Sequence, residues 1–182
     1  MINIFLIMGM FTFIINGTEV KHDYLDSQIN ISVSNFIDEY ECYQEKHYFN
    51  GEKIDVIASK LNNHLKGVLK NKGQFIVEYS LSVGMDPYLA ASVMLHETGC
   101  SWNCSYLANQ CYNVGGNKGT PSCNGSGYRK FSSIEEGIKF AINKLNSYYK
   151  KGYTTPKQIN PFYAEDTTWY KKINNYMNKL KK

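Results

Sequence analysis

The sequence predicts a mainly α-helical domain of the α+β class, in which a helical body and a small irregular or β lobe enclose a cleft. Three observations predict it. From Lys53 onward, apolar residues recur three or four positions apart, the spacing of helices with one buried face. Residues 84–99, GMDPYLAASVMLHETG, are apolar around most of a helix's circumference, as a core helix is. Residues 100–130 break that pattern with Cys100, Cys104, Cys111 and Cys123, several glycines, Asn and Ser, which reads as a loop or small β lobe and not as a helical segment.

Taken in order, residues 2–16, INIFLIMGMFTFIIN, carry no charge. The run is short for a membrane span, which needs about 20 residues. It fits the apolar core of a secretory signal, with Gly17 as a small residue at the cut, although no basic residue precedes it. An uncleaved membrane anchor and a buried strand or helix are the alternatives for residues 1–17. Residues 18–50 are polar and mixed, and read as a linker or an arm that joins the domain near Tyr48. Within them INISVSNF (29–36) alternates like a strand and FIDEYECYQEKHYF (36–49) reads as a helix.

The domain proper is expected over 51–182. Ile54, Ile57, Leu61, Leu65, Val68 and Leu69 mark the first helical stretch, Gly73 interrupts it, and Gln74 to Val83 form the next. A Val-Gly-Met-Asp-Pro turn leads into the central helix. Asp86 suits its N-cap, Pro87 its first position and Gly99 its C′ stop. Leu89, Val93 and Glu97 share one stripe of that helix. An acid placed there sits beside apolar surface and at the negative end of the helix dipole, and both disfavour ionisation. A carboxyl kept neutral near neutral pH is what a general acid requires. The alternative is a glutamate that fades into solvent at a fraying helix end.

After the lobe, Ser132 or Ser133 caps a helix that carries Ile134, Ile138, Ala141, Ile142 and Leu145, with Glu135 or Glu136 completing a capping box, and it ends near Gly152. TTPKQINPFY reads as a two-proline connection. Asp166 is placed to cap the last helix, whose apolar face is Trp169, Ile173, Tyr176, Met177 and Leu180.

Length and composition narrow the function. A chain of 182 residues with 43% hydrophobic and 20% charged residues fits one ordinary globular domain plus an appendage. The net charge of +4 allows a polyanionic partner without demanding one. Arg129 is the only arginine, so a nucleic-acid partner is not expected. Bacterial wall and anionic membrane surfaces would attract such a chain. His96-Glu97 resembles the start of a zinc-protease helix, but the position that should hold the second histidine is Cys100, so no metal or other cofactor is expected. In an exported chain the four lobe cysteines read as two disulfides, with three pairings open; a zinc site is the alternative in a reducing compartment. Cys42 is the odd thiol. Trp102, Tyr112 and Tyr128 flank the acid as candidate sugar platforms or as the core of a small lobe.

LAASVMLHETGCS, CYNVGGNKG, YRKFSSIEEGIKFAINKL and PFYAEDTTWYKKI follow one another in the order of a known family. Together they resemble the β-N-acetylglucosaminidase domains of bacterial autolysins, flagellar muralytic proteins and phage-type lysins, which share a lysozyme-like fold. The resemblance runs from about Leu61 to Leu180. It implies a secreted or cell-surface monomer acting on peptidoglycan glycan strands at a β-1,4 bond. Glu97 would be the catalytic acid, and Tyr163 would lie near the reaction centre. Asn113, Gly115, Gly116 and Lys118 would line the cleft, with Tyr112, Tyr128, Trp102 and Asp166 as further substrate contacts.

Many members carry a second carboxylate in the lobe, and this chain has no acid between Glu97 and Glu135. The substrate's own N-acetyl group, steered by Tyr163, would then take that carboxylate's place. Hydrolysis as an endo-β-N-acetylglucosaminidase is the first expectation. Muramidase or lytic transglycosylase chemistry on the same fold, and a catalytically silent wall-binding module, are the alternatives.

Overall fold

The structure, a computed structural model, describes residues 33–41 and 47–182. The signal or anchor expected at 1–17, the first part of the linker and Cys42 lie outside the described residues. The chain divides into two units, Met1–Lys46 and His47–Lys182, so the compact unit begins a few residues ahead of the boundary expected at 51.

Of the first unit, one helix is described, α1, over residues 33–41. The strand expected over 29–36 gives way to helix at its described end. Val33, Phe36, Ile37 and Tyr40 are three and four apart, which is helical spacing, and all are exposed.

The second unit opens with a hairpin, β1 (Tyr48–Phe49) and β2 (Glu52–Lys53). Asn50 and Gly51 turn it with φ of 51° and 79°, the positive-φ pair that a two-residue hairpin turn needs. The helix expected through Phe49 therefore does not continue across the hairpin. Glu52 anchors the hairpin by accepting the Tyr88 hydroxyl at 2.6 Å and pairing with Lys60 at 2.8 Å.

Helix α2 (Ile54–His64) and a 3-10 turn (Gly67–Leu69) bury Ile57, Leu61, Leu65 and Leu69. Helix α3 (Gly73–Ser82) packs along α2. Gly73 is not an interruption but the first residue of α3. A Cβ there would run into the Ala58 carbonyl, and its N–H donates to Asn62 Oδ1 at 2.8 Å. Two helices meet there through bare backbone, which only glycine permits.

Helix α4 (Pro87–Thr98) is the centre of the core, buried from Pro87 through Leu95 and packed on α3, α6 and α8. Its ends are as expected. Asp86 accepts the Tyr88 and Leu89 N–H groups at 2.8 and 3.4 Å, and Gly99, at φ 66°, returns its N–H to the Leu95 carbonyl.

The lobe of residues 100–130 departs from a purely irregular segment. It contains a short helix, α5 (Tyr106–Cys111), capped by Ser105. Its β character is limited to two isolated bridges, Lys118 with Tyr128 and Ser122 with Arg129. Cys100 is joined to Cys104 and Cys111 to Cys123. With all four sulfurs in disulfides, none is free as a thiolate ligand.

Helix α6 (Ile134–Tyr149) starts at Ser133, whose hydroxyl accepts the Glu136 N–H at 3.1 Å, while Glu136 reaches back to the Ser132 N–H at 2.7 Å. The two-proline segment is helix α7 (Pro156–Tyr163), not a connection. Thr155 and Gln158 form a capping box, Pro156 takes the first position, and Pro161 is carried inside the helix. Helix α8 (Trp169–Leu180) buries Trp169, Ile173 and Leu180 against α4. Asp166, just ahead of it, accepts the Thr168 N–H at 2.8 Å. The second unit is thus mainly helical with one small antiparallel sheet, consistent with a lysozyme-like α+β fold. Among the described residues no helix is long and apolar enough to cross a membrane.

Candidate active site

Glu97 lies in the last turn of α4, and that turn is pinned rather than frayed. The Thr98 hydroxyl donates to the Met94 carbonyl at 2.6 Å and accepts the Cys100 N–H at 3.1 Å. The Thr98 carbonyl accepts the Ser105 N–H at 2.7 Å, and the Cys100 carbonyl accepts the Lys66 N–H at 2.8 Å. Glu97 is held half-buried. Burial raises its carboxyl above the ordinary range; His96, the Trp169 indole and Lys144 pull the other way more weakly. The Trp169 N–H is itself buried and makes no hydrogen bond of ordinary geometry, so its effect on the acid is one of proximity.

Facing the acid is the turn 113–117. Asn113 builds it. Its side chain donates to the Asn117 and Arg129 carbonyls, both at 2.8 Å, and accepts the Asn117 N–H at 2.9 Å. The turn brings Gly116, at φ 59°, against the acid, and a Cβ on Gly116 would stand 2.9 Å from Glu97 Oε2. Gly115 is equally crowded, since a Cβ there would meet Asn117 Nδ2 at 2.8 Å and Ala141 at 3.1 Å. The Gly115 carbonyl accepts the Tyr163 hydroxyl at 3.3 Å, which brings the end of α7 to the same place.

Tyr163 is half-buried and its ring lies 4.9 Å from that of Trp169. Burial, with Glu97 next to it, pushes its phenol far up, so Tyr163 acts as a proton-bearing donor. Lys144 of α6 holds its Nζ 4.8 Å from the centre of the Tyr163 ring. Burial lowers its pKa, and Glu97 works against that.

A cavity of about 700 Å³ opens beside this cluster, lined by Gly116, Asn117, Lys118, Phe140, Asn143, Lys144 and Tyr163. Glu97 stands at its edge, behind Gly116, rather than in its lining. No carboxylate is among those lining residues. The two acids at the start of α6 are engaged elsewhere, Glu135 with Lys72 and Glu136 with Ser132. Among the described residues, no group of three or more His, Cys, Asp or Glu is arranged to hold a metal ion.

Of the residues singled out from sequence, the structure brings together Glu97, Gly115, Gly116, Lys118 and Tyr163. Asn113 lies behind the wall as its brace. Tyr128 is half-buried and faces Lys118 across a β-bridge, and Tyr112 ends α5 at φ 51°. Trp102 is 91% exposed and does not line the cavity. Asp166 is engaged with Thr168 and Lys172, away from the cavity lining. Sequence reasoning missed Lys144, Asn143, Phe140 and Asn117. For α6 the signal was present, because Phe140 and Lys144 are four apart on one helix face.

Residues 73–182, well over half of the chain, match the family described as Glucosaminidase: Mannosyl-glycoprotein endo-beta-N-acetylglucosaminidase. The match spans every residue of the cluster. No curated protein matches the chain.

Proposed function

The chain belongs to the glucosaminidase family, and on that premise we propose that it is a glycosidase cutting β-1,4 bonds in peptidoglycan strands, with Glu97 as general acid. The observation that carries this reading is the half-buried Glu97 carboxyl, its pKa raised by burial, at the edge of an open cavity and beside the phenol of Tyr163. A carboxyl in that environment keeps its proton toward neutral pH and can deliver it to a leaving oxygen.

A pair of carboxylates is the usual equipment for this reaction. The cavity lining offers no partner for Glu97, which favours participation by the substrate. Glu97 gives its proton to the glycosidic oxygen as the C1–O bond breaks. The carbonyl oxygen of the 2-acetamido group bonds to C1, and the Tyr163 hydroxyl is placed to steer that group. Water then opens the cyclic intermediate at C1 and returns its proton to the Glu97 carboxylate. A lytic outcome uses the same acid: the 6-hydroxyl of a muramic acid residue attacks C1, gives its proton to Glu97 and closes an anhydro ring. Two disulfides in the lobe suit an oxidising compartment, so we place the enzyme at the wall, outside the cytoplasm.

Mass spectrometry of the products released from purified wall tests the reading. New reducing N-acetylglucosamine ends are expected. Reducing muramic acid ends would make it a muramidase and anhydro-muramic ends a transglycosylase. A wild-type protein that binds wall but releases none of these, and behaves as Glu97→Gln does, overturns the enzymatic reading in favour of a wall-binding module.

A further inference from the structure

The cavity lining pairs two cations, Lys118 from the lobe turn and Lys144 from α6, with no carboxylate. Among the described residues neither lysine makes an ion pair. The three acids that do form ion pairs among the described residues hold other lysines: Glu135 holds Lys72, Asp166 holds Lys172 and Glu52 holds Lys60. Glu97 influences Lys144 through space but does not reach it as an ion pair. Lys144 is half-buried, and its ammonium lies over the face of Tyr163. A partly desolvated cation without a counter-ion is costly, and a ring face offsets only part of that cost. What completes such a site is an anion brought by the ligand. A third cation stands nearby: the Arg129 guanidinium lies 4.9 Å from the centre of the Phe140 ring, and Phe140 is itself in the lining.

We propose that Lys118 and Lys144 form a carboxylate-binding subsite, so that the cleft selects glycan strands whose sugars carry an acidic branch over neutral N-acetylhexosamine polymers. The inference rests on reading the chain as a peptidoglycan glycosidase. In such a strand the sugar backbone is neutral, and carboxylates occur only on the lactyl ether of muramic acid or on the peptide attached to it. The shared chemistry is a carboxylate hung from O3 of one sugar in two. The cation over Tyr163 also occupies a ring face against which a neutral sugar would otherwise stack.

The test uses the full chain carrying Glu97→Gln, so that binding is read without turnover. Titration calorimetry compares three ligands of equal length: an N-acetylglucosamine oligomer, the peptide-free alternating oligosaccharide with free lactyl carboxylates, and the same oligosaccharide bearing its stem peptides. The acidic ligands are expected to bind at least tenfold more tightly than the neutral one, and to lose that advantage at high salt. Adding Lys118→Gln and Lys144→Gln should weaken the acidic ligands at least tenfold and the neutral one less than threefold. Adding Lys118→Arg and Lys144→Arg instead should restore most of the difference, which separates charge from fold.

A full effect with the peptide-free ligand identifies the lactyl carboxylate, and an effect confined to the stem-bearing ligand identifies the peptide. Equal weakening of neutral and acidic ligands, or no weakening of either, overturns the subsite. Product analysis with the wild-type enzyme is separate: absence of glycosidic cleavage would overturn the proposed function while leaving a binding preference measurable.

Discussion

Gly116→Ala is the substitution on which the geometry of the acid can be tested most directly. Two separable effects are built into it. The first is backbone strain: Gly116 sits at φ 59°, and a left-handed conformation costs a non-glycine residue roughly 1–2 kcal/mol. Replacing glycine also removes unfolded-state freedom, worth about 0.4–1 kcal/mol in the opposite direction. The net loss is then about 1 kcal/mol, or a fall in Tm of roughly 2–4 °C.

The second effect is local. The new methyl would stand 2.9 Å from Glu97 Oε2, well inside van der Waals contact, so the carboxyl has to move. Relief to ordinary contact takes a shift of roughly 0.5 Å, half of the 1 Å misplacement that can cost on the order of 100-fold, so about tenfold in rate is expected. Gly84→Ala supplies the control, because Gly84 has φ 75° and nothing within 4 Å of its ideal Cβ. Wall-suspension turbidity gives kcat/KM, and thermal melting gives stability. Both variants are expected to melt a few degrees low, and only Gly116→Ala to lose activity, by about tenfold. Wild-type turnover in a folded Gly116→Ala enzyme would refute the placement of the working acid against this turn.

Three further outcomes follow from the same geometry. Glu97→Gln should cost at least ~100-fold in rate, as loss of a general acid does. It should also stabilise the fold at neutral pH. The folded pKa of Glu97 lies above its unfolded one, so folding penalises the ionised form. That penalty is absent below the unfolded value, grows as pH rises through the folded one and is full above it, so melts of the two proteins should converge in acid. Lys144→Met removes a cation that favours ionised Glu97, and the alkaline limb of the kcat/KM pH profile should move upward; a downward or unmoved limb would contradict the pairing. Replacing Cys111 and Cys123 together by serine opens a loop of separation 12 and should cost about 3 kcal/mol on the chain-entropy view, against about 2 for the separation of 4 between Cys100 and Cys104, both read by melting.

What could be read in advance was what is locally encoded. The bounds of α4 rest on Asp86, Pro87 and Gly99, each acting within one turn of its own position, and so they were legible. Glu97 was legible for the same reason, through its stripe with Leu89 and Val93. Gly73 was misread because its role is tertiary: glycine usually breaks a helix, and here it lets α3 approach the Ala58 carbonyl. In α7 the two prolines outweighed the Thr155–Gln158 capping box, although proline at the first position fits a helix start; Pro161 sits inside the helix against the usual rule. Helix α5 was hidden among cysteines and polar residues. The cavity was the least legible feature, because its lining comes from three segments remote in sequence. That Lys144 meets Tyr163 is a fact of helix packing, and periodicity shows only that Lys144 lies on a face.

One close approach bears on how substrate enters. Gly137, in the first turn of α6, has no room for a Cβ because the Tyr112 carbonyl at the foot of the lobe stands against it, and the neighbouring Phe131 N–H bonds to the Cys111 carbonyl at 3.0 Å. The lobe turn that presents Gly116 and Lys118 is therefore seated on the same helix that presents Phe140 and Lys144. Two sides of the cavity are thus joined by direct contact of backbone on backbone. A glycan strand meets a groove whose two walls are braced against each other, with Lys118 presented from one and Lys144 from the other. The end of α7 completes the third side, where Tyr163 donates to the Gly115 carbonyl of the lobe turn and lies under the Lys144 ammonium of α6.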